Sequence, residues 1–228
     1  MPAELITYGS DRRMELGAAE CVRRMVWEDD WTRLRIGVQG TFDDPTASLG
    51  GTPELSIGVC SGFSNVLSAD SATHVLGMRH TVSTWTFVSG PPAYFTLSNT
   101  FQAFKKIGTT RTTATFGSSN FAFPCASTVR GGLFFEIAKG SPNFTLYRVV
   151  PGSSAGQDNV SDEAFQHSME TEAPLSSQVS SVIGGGAYAA ASITFAVDEA
   201  DGVLDHVFVY WSRSTPKFSF NIKLRKVA

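Results

Sequence analysis

The chain has 228 residues, 42% of them hydrophobic and 17% charged, with a formal net charge of −3. That is enough apolar material for the core of one large β domain or two small ones, and less charge than soluble domains usually carry. Its basic residues are scattered, so it lacks the concentrated positive field of a phosphate-backbone binder, and nucleic acid is not an expected partner.

The basic pairs Arg12–Arg13, Arg23–Arg24, Lys105–Lys106 and Arg225–Lys226 read as solvated patches. Cys21, Cys60 and Cys125 are widely spaced and odd in number, which fits neither a disulfide framework nor a zinc site. Reduced thiols packed as small hydrophobes are expected, with one bridge between two of them left open. The opening residues, Met1–Tyr8, lack the basic start and long apolar run of a secretory signal. No stretch reaches the length of a membrane span. Synthesis and folding in the cytosol, or in a host cell's cytosol, are the expectation.

In chain order, the first segment differs from the rest. Apolar residues at Met14, Ala18, Cys21, Val22 and Met25 follow the spacing of one helix face. This predicts a short helix over Met14–Trp27, capped by Ser10 or Asp11, or else an ordered arm covering residues 1–31. After Trp31 the period becomes two. Leu34, Ile36 and Val38 alternate with Arg33, Arg35 and Gln39, as on a strand with one solvated face.

Turn residues at Thr41–Pro45 and Leu49–Pro53 lead to predicted strands at Leu55–Cys60, His74–Arg79, Thr84–Val88 and Tyr94–Leu97. Thr109–Phe116 is rich in β-branched threonine and reads as another strand. Leu133–Ala138, a turn at Lys139–Asn143 and Phe144–Val150 form the clearest hairpin.

From Pro151 to Gly186 polar residues dominate, and Phe165, Met169, Leu175 and Val179 stand apart. So long an irregular excursion inside a compact domain is functional, mobile or hides a short element, and either an arm draped over a neighbouring subunit or an ordinary surface excursion fits it. Regular alternation resumes at Ile193–Val197. His206–Trp211 is apolar on both faces. The best alternation in the chain sets Phe218, Phe220, Ile222 and Leu224 against Ser219, Asn221, Lys223 and Arg225. The reading is an all-β chain: an antiparallel, jelly-roll-like β-sandwich over residues 32–228, preceded by a short helix or arm.

Candidate chemistry is sparse. Gly58–Gly62 has the spacing of a nucleophile elbow with Cys60 at its centre, but that chemistry needs a strand-to-helix turn in a parallel α/β sheet. Here the surroundings read as all-β, so a strand ending in a Gly-Ser turn is expected. His74, His80, His167 and His206 offer no close pair for a metal, and no metal or cofactor is expected. Asp198–Gly202 reads as an acidic turn closed by glycine rather than a calcium loop. Trp85, Tyr94, Phe95 and Trp211 would suit a sugar-binding platform if exposed, and a core if buried. The sequons at Asn143–Thr145 and Asn159–Ser161 carry no weight without a secretory signal. No catalytic, cofactor or metal residue is assigned.

The overall texture resembles that of structural proteins of tailed bacteriophages. It combines a polar first segment, a β body rich in Gly, Thr, Ser and Phe, low charge and a long excursion. That resemblance implies a non-enzymatic subunit of the virion (tail, baseplate, collar or capsid-accessory type), assembled in the host cytoplasm. Its partners would be copies of itself and other structural subunits, with residues 1–31 and 151–186 as interface candidates. The alternative is a β-sandwich that binds carbohydrate or a receptor, with a surface glycan as partner.

Overall fold

In the computed structural model, the residues described are 5–8, 14–16, 19–24, 31–43, 49, 51, 53–61, 74–80, 86–88, 94–97, 101–115, 121–124, 131–140, 143–150, 169, 187–196 and 206–227. Every regular element among them is a β-strand: β1 (Leu5–Tyr8), β2 (Met14–Leu16), β3 (Ala19–Arg24), β4 (Arg33–Phe42), β5 (Leu55–Cys60), β6 (His74–His80), β7 (Thr86–Val88) and β8 (Tyr94–Leu97) in the first part. They are followed by β9 (Phe101–Ile107), β10 (Thr110–Thr115), β11 (Phe121–Pro124), β12 (Gly131–Gly140), β13 (Asn143–Val150), β14 (Ala187–Ala196), β15 (His206–Trp211) and β16 (Phe218–Val227).

A seven-stranded sheet has the order β1-β16-β4-β12-β13-β14, with β2 also paired to β16. A six-stranded sheet runs β10-β9-β6-β5-β15-β3, and a three-stranded sheet β11-β8-β7. The two large sheets are antiparallel and pack together as an all-β sandwich.

The core follows from period-two patterning. On β4, Leu34, Ile36, Val38 and Phe42 are buried beside Phe218, Phe220, Ile222 and Leu224 of β16, to which β4 is paired in register. The other sheet contributes Leu55, Ile57 and Val59 of β5 and Val207, Val209 and Trp211 of β15. Burying each such side chain contributes roughly 1.5–3 kcal/mol.

The sheets meet where Phe42 of β4 packs on Trp211 of β15, ring centroids 5.0 Å apart. Phe42 also packs on its register partner Phe218, at 4.8 Å. The Trp211 indole N–H donates to the Pro216 carbonyl at 2.8 Å, so this buried ring leaves no orphaned donor. Gly40 makes room for the Phe218 ring, since a Cβ there would lie 2.6 Å from it.

The helix expected over Met14–Trp27 is not found: its described residues form β2 and β3. Gly17 stands where a helix would be weakest, and a helix this short has little stability of its own. The sheet edges decide the conformation, because β16 and β15 offer rows of backbone donors and acceptors. β1 and β2 line one side of β16, and β3 lines the outer side of β15. The first segment therefore supplies a border strand to each large sheet.

The solvated face expected on β4 is not found either. Arg35, Gln39 and Thr41 are buried along with the apolar side. β5 is likewise buried at every position. β4 and β5 thus carry a second covered face beyond the one at the interface of the sheets, and period-two alternation cannot reveal that a polar face is also covered. The excursion at 151–186 lies outside the described residues apart from Met169, which is fully buried.

Candidate functional site

The second face of the seven-stranded sheet carries a row of charge. Register sets Arg225 of β16 opposite Arg35 of β4, and Arg35 opposite Glu136 of β12. Arg35 and Glu136 are within 1% of full burial, and Arg225 is 8% exposed. Arg35 donates from Nε and Nη2 to the same Glu136 oxygen, at 3.2 and 3.0 Å. The Arg33 Nε lies 3.8 Å from that oxygen. Arg225 donates from Nη1 to the Met169 carbonyl at 3.1 Å, which ties residue 169 to the sheet.

Burial pulls the Arg35 pKa below its ordinary value, against the attraction and hydrogen bonds of Glu136. Losing water thus costs the guanidinium more than its partner returns, though it stays charged at any ordinary pH. A carboxylate held this way, beneath a covered face, positions strands.

The second face of the six-stranded sheet holds the candidate nucleophile. β5 runs through Gly58 and Val59 to Cys60 as a regular strand. Gly58 is there for close approach. It sits opposite Gly77 of β6, where a Cβ would lie 2.5 Å from the Leu76 carbonyl oxygen and 3.1 Å from the Phe208 ring. Cys60 is not in a disulfide and is fully buried in a cluster with Val75, Phe104 and Phe208. Register brings His206 opposite Cys60, a neighbour relation that spacing along the chain did not suggest. Burial among apolar side chains is the environment of a packing cysteine.

The other candidates separate. His74 and His80 stand at the two ends of β6, roughly 20 Å apart at the rise of an extended strand. Among the described residues no group of three or more His, Cys, Asp or Glu could hold a metal ion. Trp211 is core, its indole N–H engaged within the fold. Tyr94 and Phe95 lie on β8, and Asn143 opens β13. Trp85, His167, Asn159 and Asp198–Gly202 lie outside the described residues.

The charged row was missed because its members are far apart in the chain. Glu136 inside the apolar run Leu133–Ala138 was the available signal: a carboxylate in such a strand needs a buried cation.

At the border of the six-stranded sheet lies β10, paired with β9 on one side. Its Thr110, Thr112 and Thr113 are exposed. No described helix is long and apolar enough to cross a membrane. No protein-family model matches the chain, and no curated protein matches it.

Proposed function

We propose that the chain is a non-enzymatic structural subunit of a virus particle, of the tail, baseplate, collar or capsid-accessory type found in tailed bacteriophages, acting through contacts between subunits. The observation that carries this reading is the double burial of strands within the sheets. β4 and β5 have both faces covered, and the polar groups that converge, Arg35, Glu136 and Arg225, are spent on holding strands together. Among the described residues, strands filled in this way offer a neighbour their borders and hairpin tips. Its first segment already lies along two sheets as border strands, which supports residues 1–31 as an interface region.

The test is light scattering with negative-stain microscopy on the full chain, alone and mixed with particles lacking it. Rings, shells or incorporation at fixed stoichiometry are expected. A chain that stays monomeric, binds a glycan and never enters a particle would establish the carbohydrate-binding alternative instead.

A further inference from the structure

No described strand pairs with the outer side of β10. Sheets usually guard such a border with charge, proline or a bulge, because its N–H and C=O groups template another strand. β10 is lightly guarded in its own sequence, although β14 of the other large sheet approaches both β10 and β9 without pairing with them. β10 has one charged residue, Arg111, and no proline. Its pairing with β9 runs without a register break from Thr110↔Ile107 to Thr115↔Gln102. Successive residues Thr112 and Thr113 are both exposed, so both faces of the strand reach solvent there.

The turn determines which backbone groups face outward. Gly108, with φ +58°, and Thr109 form a two-residue turn closed by Ile107 and Thr110. In such a turn the closing residues form a hydrogen-bonded pair, and bonded pairs then recur at every second residue. Thr110, Thr112 and Ala114 therefore bond to β9, while the N–H and C=O groups of Arg111, Thr113 and Thr115 point away from the sheet.

An antiparallel partner must present outward groups at matching positions. A second copy of β10 does so when odd-numbered residues oppose odd-numbered residues. Centring the pair on Arg111 would oppose two guanidinium groups, which is repulsive. Centring it on Thr113 sets Thr113 against its own copy, Arg111 against Thr115 on either side, and Thr112 against Ala114. That register uses every outward group of the strand, keeps the charges apart and lays threonines side by side.

We infer that β10 pairs antiparallel with β10 of a second copy of this chain, about a twofold axis at Thr113, joining the two six-stranded sheets into one. The contact rests on the assembly reading above and names the surface used. It is isologous, as twofold contacts are, so it closes at two copies and leaves the other borders for further neighbours.

The test uses the full chain and compares dimerisation by sedimentation across a dilution series. Thr113→Pro removes an outward donor that β9 does not use, a position where a border strand tolerates proline. Thr113→Lys keeps the backbone and opposes two ammonium groups. Each is expected to weaken dimerisation at least about tenfold, with the far-ultraviolet circular dichroism of the parent.

Thr113→Cys is expected to form a disulfide-linked dimer under mild oxidation, since bonded partners sit about 5.5 Å apart at Cα. Thr112→Cys, opposite Ala114, is expected not to exceed the parent chain. Should Thr113→Pro fail to fold, Thr113→Lys and the cross-link decide. Assembly of parental strength in Thr113→Lys, or no cross-link from Thr113→Cys, overturns this contact while leaving the assembly reading in place. A parent chain that associates neither with itself nor with particles overturns that reading and this contact together.

Discussion

Arg35 places two N–H donors, at 3.2 and 3.0 Å, on a single oxygen of Glu136, and the two side chains retain 0% and 2% of their exposure. Breaking such a pair from one side leaves a buried charge without its partner. Glu136→Ala is therefore expected to cost about 3–5 kcal/mol. Because desolvation is the larger influence on Arg35, replacing both residues with apolar ones of similar size should restore most or all of that loss. Urea unfolding of the two single variants and the double variant measures this directly. A double variant no better than Glu136→Ala would show that the pair contributes net stability.

The facing glycines of β5 and β6 set a second expectation. Gly58→Ala would put a Cβ 2.5 Å from the Leu76 carbonyl oxygen and 2.7 Å from the Gly77 Cα, and Gly77→Ala would strike the Ile57 carbonyl oxygen. Backbone cannot swing aside as a side chain can, so each change should cost about 3 kcal/mol or abolish folding. Gly108→Ala meets nothing within 4 Å and carries only the strain of φ +58°. Its cost should be about 1 kcal/mol. Melting temperatures of the three variants would rank them.

Trp211 links the sheets by ring packing and by one hydrogen bond to Pro216. Trp211→Phe retains most of the packing and leaves a buried carbonyl without that donor. A loss of about 1–3 kcal/mol is expected, against about 3–5 kcal/mol for Trp211→Ala. Equal losses in chemical denaturation would mean that the hydrogen bond accounts for the whole effect.

Cys60 should behave as core. In the native protein it is expected to resist alkylation, and to react only in denaturant. Mass-resolved labelling of the parent and Cys60→Ala chains separates it from Cys21 and Cys125. Rapid native labelling, with a rate that falls as His206 is replaced by Gln, would instead identify a thiol activated by its register neighbour.

Much of the architecture was written in local pattern. Leu55–Cys60, Tyr94–Leu97 and His206–Trp211 coincide with β5, β8 and β15, and the alternation from Phe218 to Leu224 is borne out by burial. What failed was whatever depended on distant partners. Met14–Leu16 and Ala19–Arg24 are strands because β16 and β15 lie beside them, and a window on the sequence contains no trace of those neighbours. Phe101–Ile107 was passed over because its paired lysines obscure the alternation that β6 and β10 complete. Arg35 looked solvent-facing for the same reason: the carboxylate that accompanies it is 101 positions away. Arg225 completes the row only through register.

The strand order also constrains how the molecule is made. β15 and β16, late in the chain, are interior strands, inserted between β5 and β3 in one sheet and between β4 and β1 in the other. Until they are made, β1, β2 and β3 have no sheet to join, and β4 and β5 are raw edges. Contacts such as Thr32 to Val227, 195 positions apart, form only after the β16 segment has been made. Folding dominated by such non-local pairing is slow, and its open intermediates are prone to aggregate. A chain cut before residue 206 would lack β16 from one sheet and β15 from the other, and its expression yield should fall far more than for changes at the β9–β10 turn.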